Sequence, residues 1–408
     1  MKIRSVTWFC NPGWPLDDHV LKQGFDLLAD ARSAYEALGY EVQTTRLATI
    51  PFPLLLGEQA IRQAPDLAKK LETALKGSGV GYAALGPALP EVPASYEIIP
   101  DAIASTQSVF FSGIMADRQR GISLPAVKAC AEVIVRCSGL SPDGFANLRF
   151  AALANVEPGT PFLPASYHHG DQPAFSIGTE AMDLAVEAFQ FADSIADARQ
   201  KLIISIEDHA SKLVSVADRL QKKHTAIFNG IDFSLAPFPK QSRSLEAALT
   251  ALGVDHVGGL GSLTGVALLT EAIQTARFPH TGFCGVMLPV MEDASLAERA
   301  AGGLLTVRDL LLYSSVCGTG LDTIPLPGDV TAGQLAPLLL DLSSMALRLD
   351  KSLTARLMPI PGKKAGDATG FDFSYFANSR VMALDSDPLN SPLGGNETFP
   401  LSARNERK

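Results

Sequence analysis

Four short segments in the second half of this 408-residue sequence combine residue types that can bind or activate a small molecule. The first is 229–239. It contains the end of a predicted strand, where an acid and a hydroxyl, Asp232 and Ser234, precede a proline-rich loop. The end of a strand is a common position for a catalytic or binding group in α/β proteins. Asp232 is therefore a candidate catalytic residue that can act as an acid or as a base.

A second predicted strand, 282–288, leads in the same way to two acids, Glu292 and Asp293. With Asp232 and Asp322, Glu292 would present a set of carboxylate oxygens, which are the ligands that divalent cations prefer. Capping of the following helix explains Glu292 and Asp293 equally well. The sequence therefore allows a divalent metal but identifies no cofactor.

The second of the four segments, 257–265, contains four glycines and leads directly into an apolar helical pattern. Glycines let backbone N–H groups approach a ligand closely, and a helix N-terminus favours an anion, so this loop can hold a carboxylate or a phosphate. A tight turn with a capping hydroxyl is the alternative interpretation. His256, directly before the loop, is a candidate acid or base. The candidate substrate-binding residues of the loop are Gly259, Gly261, Ser262 and Thr264.

The third segment, 316–329, places Cys317 in a glycine-rich turn and Asp322 at the entrance of a short predicted strand. Cys317 is a candidate nucleophile if its pKa is lowered, although a buried structural cysteine is the commoner case. A carboxylate inside an apolar run needs a partner or a ligand, which makes Asp322 a further catalytic candidate. Asp329 is expected to cap the next helix.

The fourth segment, 358–367, follows another predicted strand and contains two adjacent lysines between glycines. Lys363 and Lys364 can clamp an anionic substrate as point charges, and a solvated loop is the alternative. Asp367 completes this group of candidate substrate-binding residues.

Apolar runs separated by helical patterns predict about ten strands, which calls for a mainly parallel sheet with helices outside it. The predicted strands are 3–10, 40–47, 80–85, 108–113, 148–155, 225–233, 282–288, 323–326, 355–360 and 380–384. About ten strands exceed an eight-stranded α/β barrel and are many for one open sheet. A ten-stranded α/β barrel, or two five-stranded halves, is therefore predicted.

This fold places one large domain over residues 1–384. Its halves would cover about 1–160 and 225–384, with a helical insert at about 180–223 made of two charged helices. The last residues, 385–408, are rich in Pro, Gly, Asn and Ser and are expected to form an extended tail.

Composition limits the classes of function. A net charge of −9 repels phosphate backbones, so a nucleic acid partner is not expected. No apolar run approaches the roughly 20 residues of a membrane span, and the N-terminus lacks the apolar core of a signal peptide. Five scattered cysteines without CxxC spacing favour a reducing cytoplasm. A homodimer is the expected assembly, because it is the commonest for soluble oligomers.

The sequence resembles the DUF711/UPF0210 family of bacterial and archaeal proteins along its whole length, most strongly over 225–367. The resemblance rests on these four segments, on 283–293 and on 173–178, and its most specific parts are 317–329 and 363–367. It supplies no reaction, because the family has none assigned.

The resemblance implies the ten-stranded α/β barrel of pyruvate formate-lyase and related glycyl radical enzymes. Such an enzyme needs a glycine near the C-terminus in a motif like Arg-Val-x-Gly-Tyr. The nearest match is 380–384, in which Ala383 replaces the glycine. Only a residue without a side chain stabilises that backbone radical, so radical chemistry is not expected, and Cys317 would be an ordinary thiol.

Polar residues at several separate strand ends predict an enzyme that acts on a small anionic metabolite at the barrel mouth. Its chemistry would be acid/base or nucleophilic. A non-catalytic protein that binds a metabolite, or is regulated by one, is the alternative.

Overall fold

The computed structural model describes residues 1–404, in which helices surround one large mixed sheet. The strands are β1 (Lys2–Cys10), β2 (Val42–Thr49), β3 (Tyr82–Ala88), β4 (Val109–Asp117), β5 (Gly121–Ser123), β6 (Phe150–Ala154), β7 (Ala174–Glu180), β8 (Ile227–Asp232), β9 (Gly320–Pro327), β10 (Leu353–Ile360) and β11 (Thr398–Phe399). The α-helices are α1 (Asp18–Glu36), α2 (Phe52–Leu56), α3 (Ala64–Leu75), α4 (Ala94–Glu97), α5 (Ile99–Ala104), α6 (Leu124–Ser138), α7 (Met182–Gln190), α8 (Ile195–His224), α9 (Leu245–Ala251), α10 (Ser262–Thr275), α11 (Ala294–Ala301), α12 (Val307–Tyr313) and α13 (Ala332–Leu349). No helix in this range is long and apolar enough to cross a membrane.

Local sequence explains where the helices begin. The Asp17 carboxylate caps α1 by accepting hydrogen bonds from two backbone N–H groups at its start. Asp293 caps α11 in the same way. Asp329 does not cap α13, because Thr331 occupies that position and forms a reciprocal capping box with Gln334.

The strands follow the order β8-β7-β1-β2-β3-β4-β6-β10-β9, and the short strands β5 and β11 pair with each other beside β4. The five central strands β1, β2, β3, β4 and β6 are parallel to one another. The flanking pairs, β7 with β8 and β10 with β9, run in the opposite direction. The starts of the central strands therefore lie at the same end of the sheet as the ends of the flanking strands.

The segment 280–290 lies between the two edge strands of this order. Val286 of this segment forms an isolated parallel bridge to Leu235, which follows β8. Pro289 forms another to Asp322 of β9. The predicted strand 282–288 is therefore wrong as a regular strand. Positive φ values at Gly282 (67°) and Cys284 (42°) interrupt the extended backbone, so a continuous ladder cannot form.

Other sequence predictions are also corrected by the structure. The segment 380–384 forms only one isolated bridge, between Arg380 and Ala368. The strand β7 was not predicted, because Gly178 and the polar residues around it hide its pattern. The two helices predicted over about 180–223 are α7 and α8, and the chain divides them between Gln190 and Ile195, since Ser194 caps α8. The division into two halves and a tail stays a prediction.

The two faces of the sheet bury different kinds of side chain. Val6 and Trp8 of β1 belong to the large apolar cluster under the outer helices. Phe9, on the alternate face, belongs to a smaller inner cluster with Ala48 and Phe110. The outer face thus packs against helices, and the inner face encloses the interior in which the candidate site lies.

The connection between β6 and β7 fills part of this interior. Leu163 belongs to the inner cluster of Phe9, and Phe162 belongs to a second cluster with Ala151 and Leu153 of β6. Ser166 is fully buried. His168 is only 4% exposed, lies against Phe9 with ring centroids 6.4 Å apart, and has an Nε2 atom without a hydrogen-bond partner in the described structure. Burial, aided by the charge of His169, lowers the pKa of His168 to about 4.

This pKa predicts a loss of stability in mild acid. The pKa of an unfolded histidine is about 6.5, so the unfolded chain takes up the extra proton between about pH 6.5 and pH 4. The free energy of unfolding should therefore fall as the pH is lowered through that window, by about 2 kcal/mol from this residue. Urea denaturation of His168→Gln at several pH values should show a flatter dependence than the wild type. The exposed His19→Gln is the control, and an unchanged slope in His168→Gln would contradict the assignment.

Candidate functional site

A cavity of about 120 Å³ is lined by residues from the first halves of β1 to β4, from the ends of β7 and β8, and from the middle of β10. Its wall combines cationic, acidic and aromatic side chains. The cations are Arg4, Arg46 and Arg356, the acids are Asp232 and Glu292, and the aromatic residues are Tyr82, Phe110, Phe162, Phe373 and Tyr375. Pockets that join a few convergent polar groups to apolar walls are typical of small-molecule sites.

Strand register explains why this space is open. Asp232, Gly178, Ser5 and Thr44 are neighbours in one row across β8, β7, β1 and β2. The three residues after Asp232 in this row are small. A Cβ atom at Gly178 would lie 2.9 Å from the Ser5 Oγ, so a larger side chain would intrude into the site.

A buried ion network forms one wall of the cavity. Glu292 accepts hydrogen bonds from Arg4 and, at 2.9 Å, from Arg356 Nη2. Arg356 Nε also donates to Asp322 Oδ1 at 2.6 Å. The network therefore contains two cations and two carboxylates, and it is locally neutral when all four are charged.

The two carboxylates of this network have different protonation tendencies. Burial alone would raise the pKa of Glu292, but the charges of Arg4 and Arg356 hold it below its usual value. Burial raises the pKa of Asp322, and the charge of Glu292 adds to the effect despite the opposing charge of Arg356. Glu292 is therefore the more acidic carboxyl of the pair.

Arg46 is a second kind of cation in the same cavity. Its Nε donates to Thr44 Oγ1 at 2.9 Å and its Nη1 donates to the carbonyl of Pro161 at 3.2 Å. No carboxylate between residues 1 and 404 forms an ion pair with it. Burial, aided by the positive charge of Arg4, lowers the pKa of Arg46 to about 9, so it remains charged at neutral pH without a counter-ion.

Asp232 lies on the wall formed by β8. Its Oδ1 accepts from Ser234 Oγ at 2.5 Å and from Cys284 N at 2.9 Å, and its Oδ2 accepts from Phe283 N at 3.1 Å. A Cβ atom at Gly282 would lie 2.4 Å from Oδ2, so only glycine allows this contact. Burial raises the pKa of Asp232 although these donors oppose it. A carboxylate accepts about four hydrogen bonds, so Oδ2 keeps one free acceptor position for a ligand proton.

Of the sequence-predicted catalytic residues, the structure brings Asp232 and Asp322 to this site. Asp232 lines the cavity, and Asp322 contacts it indirectly through Arg356. Cys317 is fully buried and its Sγ accepts a hydrogen bond from Gly320 N at 3.3 Å. It is not among the residues that line the cavity. Its catalytic role stays a prediction.

The glycine-rich loop lies elsewhere, beside α12. The backbone carbonyl of Leu304 approaches Gly258, and Ser262 Oγ donates to the carbonyl of His256 at 3.3 Å. Gly261 occupies the N-cap position of α10, so the predicted capping by Ser262 or Thr264 is wrong. Gly259 and the half-buried His256 are close neighbours in this loop. None of these residues lines the cavity, and their binding roles stay predictions.

The lysine-rich turn is also separate from the cavity. Asp367 accepts a hydrogen bond from the backbone N of Lys364 at 2.7 Å, which stabilises the turn itself. Lys364 and Asp367 are exposed, and Lys363 is half-buried. The anion-binding role predicted for this turn is thus not supported by proximity to Asp232.

The structure does not group the three acids of the metal hypothesis into a ligand set. Residues 1–404 contain no cluster of three or more His, Cys, Asp or Glu side chains arranged to hold a metal ion. The Arg356 guanidinium lies between Glu292 and Asp322 and takes the place that a cation would need.

Sequence reasoning missed the three arginines of the site. Arg4, Arg46 and Arg356 each lie in a strand whose other residues are mostly apolar or small. A charged residue within such a strand needs a buried partner or a ligand, which is the argument that identified Asp322. Applied to the arginines, it would have indicated the same cavity.

The ion network predicts an uneven response to loss of a carboxylate charge. Glu292→Gln would leave Arg4 and Arg356 without their shared counter-ion, so we expect the free energy of unfolding to fall by about 3–5 kcal/mol. The control is Glu271→Gln, which breaks the exposed two-point contact with Arg199 and should cost at most about 1 kcal/mol. Chemical denaturation at pH 7 measures both, and equal losses would contradict the network's role.

Several curated proteins are similar to this chain in sequence. It is 31% identical over 387 residues to the UPF0210 protein of Pyrobaculum islandicum, which covers 90% of this chain and 82% of that protein. The UPF0210 protein of Neisseria gonorrhoeae is 26% identical over 364 residues, 85% of this chain and 80% of that protein. The UPF0210 protein of Methanocaldococcus jannaschii is 27% identical over 407 residues, 93% of this chain and 88% of that protein.

A comparison of folds adds nothing to this result. A solved cellobiohydrolase mutant in its closed form aligns with 53% of this chain and 59% of its own at 15% identity, and the TM-score of 0.24 is too low to indicate a shared fold. The family resemblance seen in the sequence is confirmed by a different comparison. The family model described as "Uncharacterised ACR (DUF711)" matches residues 1–378, and the chain therefore belongs to this family.

Proposed function

We propose that this protein is an enzyme that acts on a small organic anion in the cavity between Arg46 and Asp232. The observation that carries the proposal is the Arg46 guanidinium, a half-buried charge on the cavity wall with no carboxylate partner in the described structure. A charge partly removed from water without a counter-ion is costly, and an anionic ligand would reduce that cost. Arg46 is thus the proposed anion-binding residue.

Asp232 is the proposed acid or base. Burial raises the pKa of this carboxyl above its usual value, the direction that favours acid or base catalysis by a carboxyl group. Ser234 and the backbone donors of the 283–284 turn hold its carboxylate in one orientation. Oδ2, with its free acceptor position, is the atom that would take a proton from a bound substrate or return one to it.

We also propose that the sheet closes into a ten-membered α/β barrel like that of pyruvate formate-lyase. Two observations support closure. The segment 280–290 bridges both edge strands. Arg4 of β1 and Arg356 of β10, five strands apart in the order, meet on Glu292, whereas a flat sheet would hold them about 24 Å apart. Cytoplasmic location and a homodimer remain parts of this proposal, and light scattering on the purified protein tests the dimer.

A non-catalytic metabolite-binding protein is the alternative function. It would use Arg46 in the same way but would not require a titratable carboxyl at position 232. The two functions differ in the fate of the ligand, because a binding protein releases it unchanged.

The anion proposal makes a direct prediction about acetate, the smallest organic carboxylate. At constant ionic strength maintained with chloride, acetate should raise the melting temperature of the wild type in a saturable manner, because it binds only the folded state. Arg46→Gln should abolish this rise. The matched control is Lys364→Gln, which removes an exposed lysine of the turn first predicted to bind the anion. Loss of the acetate effect in Lys364→Gln alone would move the site to that turn.

The acid/base proposal is tested by Asp232→Asn. Small molecules extracted from cells are incubated with wild-type protein, and mass spectrometry detects any compound that is consumed. Asp232→Asn should still give the acetate-dependent rise in melting temperature but should consume that compound at least about 100-fold more slowly. Equal consumption by both proteins would exclude Asp232 as the acid or base. Binding with no consumption by either protein would favour the non-catalytic alternative.

A further inference from the structure

We propose that the natural ligand of this cavity is a monocarboxylate whose body is apolar and about the size of one aromatic ring. The inference rests on the proposed function, since it takes Arg46 as the anion-binding residue. It adds the charge of the ligand, the chemistry of its body and its size. Each of these comes from a different part of the cavity wall.

The charge comes from the ionic groups that surround the site. Arg4 and Arg356 are matched by Glu292 and Asp322, as described above. Glu180, the last residue of β7, has a carboxylate oxygen 3.6 Å from Arg4 Nη1 and another 3.8 Å from Arg243 Nη1. These groups balance as three cations against three carboxylates.

Arg46 then contributes one positive charge that no neighbour matches. Asp232 forms no ion pair with it, since Arg46 lies on β2 and Asp232 on β8, and β7 and β1 separate these two strands. One unmatched charge suits a monoanion, and a phosphate dianion would leave an excess negative charge. The contacts to Thr44 and Pro161 use two of the five guanidinium N–H groups, and the other three suffice for a two-point contact to a carboxylate.

The chemistry of the body comes from aromatic rings on two sides of the cavity. Tyr82 of β3 and Phe110 of β4 meet edge to face, with centroids 5.4 Å apart. Phe162 of the inserted connection faces the cavity from another side and also packs against Phe283 at 5.4 Å. Phe373, from the C-terminal segment, adds another ring. A compact polar anion would leave the surfaces that these rings turn to the cavity in contact with water, whereas an apolar body would bury those surfaces.

The size comes from the volume of about 120 Å³. An engineered protein cavity of roughly 150 Å³ accommodates benzene, so one ring, or an alkyl group of that size, is the upper limit for an apolar body in this smaller cavity. A larger body, such as a nucleoside or a disaccharide, would not fit.

Isothermal titration calorimetry at pH 7 with phenylacetate, acetate and inorganic phosphate tests this inference. Phenylacetate carries the same carboxylate as acetate and adds one ring. Burial of that ring should make phenylacetate bind about 10- to 100-fold more tightly than acetate. Phosphate should bind more weakly than phenylacetate.

Two variants assign the effect to the cavity. Tyr82→Ala should reduce the affinity ratio of phenylacetate to acetate at least about fivefold, because it removes one ring of the wall. Phe191→Ala is the control and should leave the ratio unchanged. It alters an aromatic side chain that is 67% exposed and does not line the cavity. The melting temperature of each variant without ligand shows whether it is folded.

The outcomes separate this inference from the proposed function. If acetate, phosphate and phenylacetate bind with equal affinity and all depend on Arg46, the anion site stands and the apolar monocarboxylate is wrong. If phosphate binds most tightly, the charge argument is overturned. If no anion binds in an Arg46-dependent manner, both proposals fail.

Discussion

The contact of Glu292 with Arg4 and Arg356 is the interaction on which the arrangement of this site depends. It joins the first strand of the chain to one near its end, and the connection from Glu292 to Asp322 through Arg356 adds β9. Sequence-distant segments are held together here by charge rather than by apolar packing. A buried ion network adds little net stability compared with apolar residues, but it is strongly directional, so it fixes side chains at defined positions.

Opposed strand directions determine what this network can hold together. Since the central strands run one way and the flanking strands the other, Arg4 near the start of β1 lines the same cavity as Asp232 at the end of β8, and Arg46 and Arg356 line it from the middle of β2 and β10. A sheet with only parallel strands would place its functional groups at carboxyl ends alone. In this protein the cations of the first half meet the acids of the second half across one cavity.

The outer architecture was largely predictable from sequence, and the inner site was predictable only in part. Apolar periodicity identified the central strands, because packing under helices is a local property of each strand. The strand end at Asp232 was identified because an acid followed by a hydroxyl after an apolar run is visible in sequence. Its partners were not, since Cys284 and Phe283 reach Asp232 only through a turn with positive φ at Gly282 and Cys284.

The glycine-rich loop and the lysine-rich turn illustrate the opposite error. Both have the composition of an anion site, but in the structure their polar groups bond mainly to their own loop, as Asp367 does to Lys364 N. Composition does not distinguish a group that needs a ligand from one that is satisfied locally. The distinction lies in what remains unmatched after folding.

Arg46 differs in this respect from the two cations of the ion network. Arg4 and Arg356 have carboxylate partners, so their burial is explained within the fold. Arg46 has only a hydroxyl and a carbonyl, neutral acceptors that hold the guanidinium in place without compensating its charge. A residue chosen only for stability at this position would be apolar or paired. The unmatched charge, fixed in orientation on the wall of a cavity opposite a buried carboxyl, is therefore best explained by a ligand that supplies the missing anion.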